Sequence, residues 1–220
     1  VSAILRYDDT GGAPLLHAPH SGYERLALGA TTVIADTAPP PPADLSHFAH
    51  AGCLSFEMSS GRHQFVVNSG IDNYGDDSYR PLARTTAARS TVALSDTSQP
   101  RFRLSRKWSD LIGTPLIGGP RKVECRRDDG AGVDRFTASH NGYVSRFGLI
   151  HERTLSLSEE GAVLEGIDRI VRPDGSPSTA VGDDAVAVRF HIHPDIDIYR
   201  DPDGRHILAG QATAPWPSTV

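Results

Sequence analysis

The run Leu149-Ile-His-Glu-Arg-Thr-Leu-Ser-Leu157 constrains the fold more than any other stretch of the chain. Leu149, His151, Arg153, Leu155 and Leu157 fall on one side of an extended backbone, and Ile150, Glu152, Thr154 and Ser156 on the other. A helix would scatter both sets around its axis, whereas a strand separates them. Shorter runs of the same kind follow one another along the chain. Thr31–Asp36, Cys53–Met58, His63–Val67, Thr91–Leu94, Arg101–Leu104, Lys122–Arg126, Arg135–Ser139, Val163–Val171, Ala185–His193 and Arg205–Ala209 all read as strands. Turn sequences lie between them: Ser59-Ser-Gly-Arg62, Glu159-Glu-Gly161, Pro173-Asp-Gly-Ser-Pro177 and Asp201-Pro-Asp-Gly204. No segment keeps a 3.6-residue apolar period over three turns. The expectation is therefore an all-β chain, a large antiparallel β-sandwich of about 12–15 strands in one domain over residues 1–220. Pro39–Pro42 reads as an extended loop within that domain.

Composition removes several classes of function. With 220 residues, 38% hydrophobic and 22% charged, the chain has the make-up of a packed globular domain. Its net charge is −5, and the one dense basic group (Arg121, Lys122, Arg126, Arg127) is followed at once by Asp128 and Asp129, so a nucleic-acid partner is not expected. A small basic pocket for an acidic sugar remains compatible with that charge. No apolar run reaches the ~20 residues of a membrane helix. Cys53 and Cys125 each sit in a strand-like run and read as separate thiols rather than a disulfide framework. The chain starts at Val1 without a basic, apolar leader, and is expected to begin inside a longer protein or after processing.

Several pieces, in order, resemble the C-terminal domain of the heparinase II/III-like proteins, a family of polysaccharide lyases. They are SGYERL (21–26), AHAGCLSFEMSSG (49–61), VVNSG (66–70), ARTTAARSTVAL (83–94), the run from Ala138 to Ile170, and VRFHIHPDI (188–196). The resemblance implies a β-sandwich that closes the cleft of an N-terminal α/α toroid, the toroid lying upstream of this chain. It implies β-elimination on uronate-containing acidic glycans, glycosaminoglycans among them, in the periplasm or cell envelope. It also implies that this chain alone is inactive, since the general base belongs to the toroid. In the family a His-x-Asp segment starts a metal site completed by an Asp and a His further on. Carried over, those positions are His50, Gly52, Asn68 and Arg89, of which only His50 is a good ligand. Arg stays protonated and does not ligate a cation. No cofactor is therefore expected, zinc and calcium being the ions an intact site would take.

The resemblance names His50, Asn68 and Arg89 as candidate site residues, and the chemistry of the side chains adds His140, Tyr74, Arg80 and Arg84. His50 and His140 are the candidate catalytic groups, because imidazole titrates near neutrality. Arg89, Asn68, Tyr74, Arg80 and Arg84 are the candidate contacts to an acidic polysaccharide, Tyr to stack on a sugar and Arg to pair with carboxylate or sulfate. Arg89 either puts a fixed charge where a cation sat or lies on a solvated face. Asn141-Gly142 reads as a tight hairpin turn between His140 and Tyr143. His47 reads as a surface residue and His151 as a satisfied interior histidine. His191 and His193, two apart on a strand, suggest a cupin-like metalloenzyme as one alternative, a non-catalytic carbohydrate-binding or interface module being the other.

Overall fold

The computed structural model describes residues 14–18, 20–46, 48–70, 79–102, 115–130, 132–178 and 186–210. Two antiparallel sheets face each other. The larger runs β1 (His17–Ala18), β2 (Tyr23–Leu28), β3 (Thr31–Asp36), β4 (Phe56–Ser60), β5 (His63–Val67) and, at its far edge, β14 (His191–Ile192). The smaller runs β12 (Val163–Val171), β11 (Ile150–Ser158), β10 (Asp134–His140) and β9 (Val123–Arg127). Three strand pairs complete the described β-structure: β6 (Val92–Leu94) with β13 (Val186–Val188), β7 (Arg101–Phe102) with β8 (Leu116–Ile117), and β15 (Ile196–Arg200) with β16 (His206–Gly210). Two one-turn helices, α1 (Arg80–Ala83) and α2 (Val144–Phe147), interrupt them.

The sandwich follows from the period-2 pattern. Leu26, Val33, Ala35, Phe56 and Val66 point from the larger sheet into one core with Phe136, Ala138, Leu155 and Leu157 from the smaller. Each of these leucines is at most 2% exposed. Truncating such a side chain to Ala typically costs about 2–5 kcal/mol. At one end the β2–β3 turn and the β11–β12 turn meet backbone to backbone. Gly29 and Gly161 both have positive φ, and a Cβ on either would collide with the other turn's carbonyl.

Inside the smaller sheet the apolar layer grades into a polar one. The inward residues of β10 and β11 pair as Phe136 with Leu155, Ala138 with Arg153, and His140 with His151. Arg153 is 1% exposed and clamps Asp168 of β12 through Nε and Nη2, at 2.7 and 2.9 Å. Its Nη1 donates across the sandwich to the carbonyls of Leu54 (2.7 Å) and Ser90 (3.0 Å). The buried cation thus fastens the two segments that wall the site described below.

Some boundaries differ from the sequence reading. The run Cys53–Met58 does not start as a strand: Gly52–Ser55 forms a turn, Leu54 has φ +59°, and β4 begins at Phe56. Ala185–His193 divides in two, β13 pairing with β6 and β14 with β5. Asn141-Gly142 does not make a two-residue hairpin. Asn141 Oδ1 accepts from the backbone N–H of Arg121 and Lys122, and the chain then turns through α2 and Gly148 before β11. Cys53 and Cys125 are free thiols.

Candidate functional site

The alternation that buries Leu26, Val33 and Ala35 turns their neighbours to the outer face of the larger sheet. There Tyr23 stands opposite Asp36, and Ile34 opposite Glu57, across β2, β3 and β4. Two stretches rise beside this floor: His50–Ser55, leading into β4, and Arg84–Arg89, following α1. Between them lies a cleft of roughly 240 Å³ lined by Tyr23, Asp36, His50, Glu57, Asn68 and Arg89. A second hollow of roughly 200 Å³ shares Tyr23, Asp36, His50 and Gly52 and is bounded by Pro39–Pro41, so the proline run forms a wall of the site.

The structure brings His50, Asn68 and Arg89 together. Arg89 is 8% exposed, and its Nη2 contacts His50 Nδ1 and donates to the Ala83 carbonyl at 3.2 Å. The Arg89 Nε–H is buried and has no acceptor, and Arg89 makes no ion-pair contact among the described residues, although the charges of Glu57 and Asp36 act on it. Asn68 accepts from the Ser90 N–H (2.8 Å) and donates to Glu57 Oε1 (3.2 Å). Because an Arg N–H occupies His50 Nδ1, the His50 proton sits on Nε2. Burial and the Arg89 and Arg84 charges hold the His50 imidazolium down to a pKa of about 4, so the ring is neutral at pH 7. It therefore offers the cleft a donor rather than a free basic lone pair.

Opposite them, burial raises the Asp36 pKa to about 6 against the pull of the Ala38 N–H and of Arg89. Burial and the charges of Asp36 and Glu57 also raise the Tyr23 phenol. Tyr23, Asp36 and Glu57 were not singled out in the sequence. The sequence signal for two of them is the two-residue Gly29-Ala30 turn, whose register sets Tyr23 beside Asp36.

The remaining candidates lie elsewhere. Arg84 is buried and spends its guanidinium on the carbonyls of Ala49 (2.8 Å) and Ser46 (2.7 Å), 5.2 Å above the Phe102 ring. Arg80 is half-buried at the start of α1. Tyr74 and His47 lie outside the described residues. His140 is 1% exposed and faces the sandwich interior, away from the cleft. It accepts from the Gly142 N–H at Nδ1 (3.0 Å), and its Nε2 lies 3.3 Å from His151 Nδ1, while His151 Nε2 lies 2.7 Å from Asp168. Each donor in that chain meets an acceptor if both rings are neutral, with the proton on Nε2. Tyr143 packs beside them and donates to the Val92 carbonyl at 2.8 Å. His191 bonds the Ala87 carbonyl and His193 accepts from the Asp195 N–H, so the two imidazoles serve local backbone.

These residues do not fit the metal site that the family resemblance implies. His50 Nδ1 is met by a guanidinium, its Nε2 carries the proton, and Asn68 is a neutral amide committed to Ser90 and Glu57. Gly52 leaves room for the substitute: a Cβ there would lie 3.3 and 3.4 Å from Arg89 Cγ and Cδ.

Comparison with known proteins follows the same lines. The family model "Heparinase II/III-like, C-terminal" matches residues 10–218. FtsZ-localized protein C of Caulobacter vibrioides (strain NA1000 / CB15N) is 33% identical over 220 residues, 98% of this chain but 38% of that protein. Among solved structures, the heparan sulfate lyase HepC of Pedobacter heparinus superposes with a TM-score of 0.60 at 20% identity, covering 88% of this chain and 27% of that one. A heparinase III superposes at 0.57 and 15% identity, covering 89% and 26%. The likeness to the solved lyases is one of fold, and this chain spans well under half the length of each of these proteins.

Proposed function

The chain belongs to the heparinase II/III-like family, as its C-terminal β-sandwich domain, and on that premise we propose that it forms one wall of the glycan cleft of a longer polysaccharide lyase acting on uronate-containing chains. The observation that carries this reading is Arg89. It is a nearly buried guanidinium at the cleft, without an ion-pair partner and with an unsatisfied Nε–H. Burial is costly for this charge, Glu57 and Asp36 offset the cost only from beyond contact distance, and an anionic group of a ligand in direct contact would relieve it further.

β-Elimination on a uronate needs three things. The carboxylate must be neutralised so that C5–H becomes acidic, a base must take that proton, and the C4–O4 bond must break as its electron pair leaves with oxygen, which then acquires a proton. Arg89 is suited to the first task, since a fixed charge aimed at a carboxylate that gains enolate character stabilises the transition state. His50 is suited to donating Nε2–H to a sugar oxygen. It is not suited to be the base, because both of its nitrogens are committed, so the base is assigned to the remainder of the longer protein.

The test uses the full-length protein and follows the absorbance of the unsaturated uronate product. Arg89→Gln is expected to lower kcat/KM by about a hundredfold. His50→Gln, which keeps an N–H donor, is expected to lower it by about tenfold without moving the basic limb of the pH profile. Full activity in Arg89→Gln would sink the assignment. A second reading draws on the name of the Caulobacter relative: a non-catalytic glycan-binding or interface module of an assembly that contains FtsZ. Glycan binding by the full-length protein without any turnover would favour it.

A further inference from the structure

Two carboxylates on the cleft floor play no part in that chemistry. Asp36 and Glu57 both project from the outer face of the larger sheet, on neighbouring strands β3 and β4. Asp36 Oδ1 accepts one bond, from the Ala38 N–H at 3.1 Å, and Glu57 Oε1 accepts one, from Asn68 Nδ2 at 3.2 Å. Neither makes an ion-pair contact among the described residues, although the cation of Arg89 lines the same cleft and acts on them from a distance. Arg89 is turned instead toward His50 and the Ala83 carbonyl. One cation and two anions therefore share one space, their charges acting on one another without a direct contact.

That charge pattern narrows the ligand. A chain bearing only carboxylates and sulfates would satisfy Arg89 but set like charges against Asp36 and Glu57, which costs affinity at close range. A ligand with an anion on one unit and a cation on the next would satisfy all three groups. Tyr23 is 47% exposed and stands beside Asp36 on the same face, where its ring can support a sugar. The Arg89 Nε–H, in a residue 8% exposed, adds a buried donor without an acceptor to a residue that lines the cleft.

We propose that this cleft selects glycans in which the uronate adjoins an amino sugar whose amine is unsubstituted, the uronate carboxylate meeting Arg89 and the ammonium meeting Asp36 and Glu57. The inference rests on the acidic-glycan reading given above and adds the identity of the neighbouring sugar.

Three defined oligosaccharides of alternating uronic acid and glucosamine test it, alike except that the amine is free, N-acetylated or N-sulfated. Binding to the full-length protein is measured by calorimetry for each. The free amine is expected to bind about tenfold more tightly than the N-acetylated form, and the N-sulfated form most weakly. The paired change Asp36→Asn with Glu57→Gln keeps both backbone and Asn68 acceptors, so it should preserve the fold, checked by circular dichroism. It is expected to abolish the preference by weakening the free-amine form, while the N-acetylated form should bind no more weakly than before, since two charges that repel an anionic chain are gone. Equal binding of the three oligosaccharides, or tightest binding of the N-sulfated one, overturns this inference and leaves the acidic-glycan reading standing. Failure of all three to bind overturns both. A preference that survives the paired change also overturns the role given to Asp36 and Glu57.

Discussion

At the scale of single residues, the site turns on how Arg89 reaches His50. The Arg89 stem passes Gly52, where an added Cβ would lie 3.1 Å from Ser55 Oγ and 3.3 Å from Arg89 Cγ. Gly52→Ala is therefore expected to push the arginine off His50 at a cost of about 1–2 kcal/mol. NMR titration would then find the His50 pKa moving up from about 4 toward its ordinary value, since the Arg89 charge is one cause of the depression. An unmoved His50 would mean that Arg89 does not reach it. The same geometry makes a metal superfluous: chelator treatment should leave the melting temperature unchanged, whereas Gly52→Asp, Asn68→Asp and Arg89→His together should make it rise with added zinc. His50, Asn68 and Arg89 were legible in the sequence because a family pattern picks out those positions even where its residue types are lost. Asp36 and Glu57 were not legible. On a strand an acidic residue facing outward looks like ordinary solvated surface, and only the loops that fold over this face turn it into a cleft.

At the scale of elements, period-2 patterning located most of the strands, and it did best where one face is wholly buried. In β11 every second residue, from His151 to Leu157, is buried, as the alternation required. Patterning failed where local backbone conformation decides the outcome. Leu54 adopts a positive φ that its residue type does not announce, which delays β4. The 185–193 run is apolar enough to read as one strand, yet it pairs with two different partners and breaks between them. Patterning also could not say that polar residues on the buried face would satisfy one another. Burial would raise the Asp168 carboxyl, but bonds from His151 and Arg153 outweigh it and hold the group below the usual carboxylate range. Asp168→Ala leaves Arg153 as an uncompensated buried charge and is expected to cost about 3–5 kcal/mol in urea unfolding. The exposed pair Arg169–Glu152, on the outer face of the same two strands, gives the contrast. Glu152→Ala should change stability by less than about 1 kcal/mol. Similar losses for the two changes would contradict the buried clamp.

At the scale of the whole molecule, the polar groups enclosed by the sandwich and its loops set how stability responds to acid. Burial is the first cause of the lowered pKa of His50, His140 and His151, with the Arg89 and Arg153 charges adding to it. In the unfolded chain these rings take up protons below about pH 6.5. In the folded chain they refuse them, so the unfolded state binds more protons and stability falls as the pH drops. Asp36 acts the other way. Its pKa is raised to about 6 in the folded state, so between its ordinary value and 6 the folded state holds a proton that unfolding releases. Near pH 5 the uptake by His50 and His140 on unfolding outweighs the release from Asp36, and the lowered pKa of His151 acts in the same direction as theirs. Urea titrations of the 220-residue chain between pH 7 and 5 should therefore show stability falling as the pH drops, most steeply toward pH 5. His151→Gln should reduce the slope, and Asp36→Asn should steepen it by about one proton, because the opposing release is gone. The two changes thus have opposite signs in one measurement. A slope that neither alters would show that these groups titrate alike in both states, and the neutral, enclosed histidines would have to be given up.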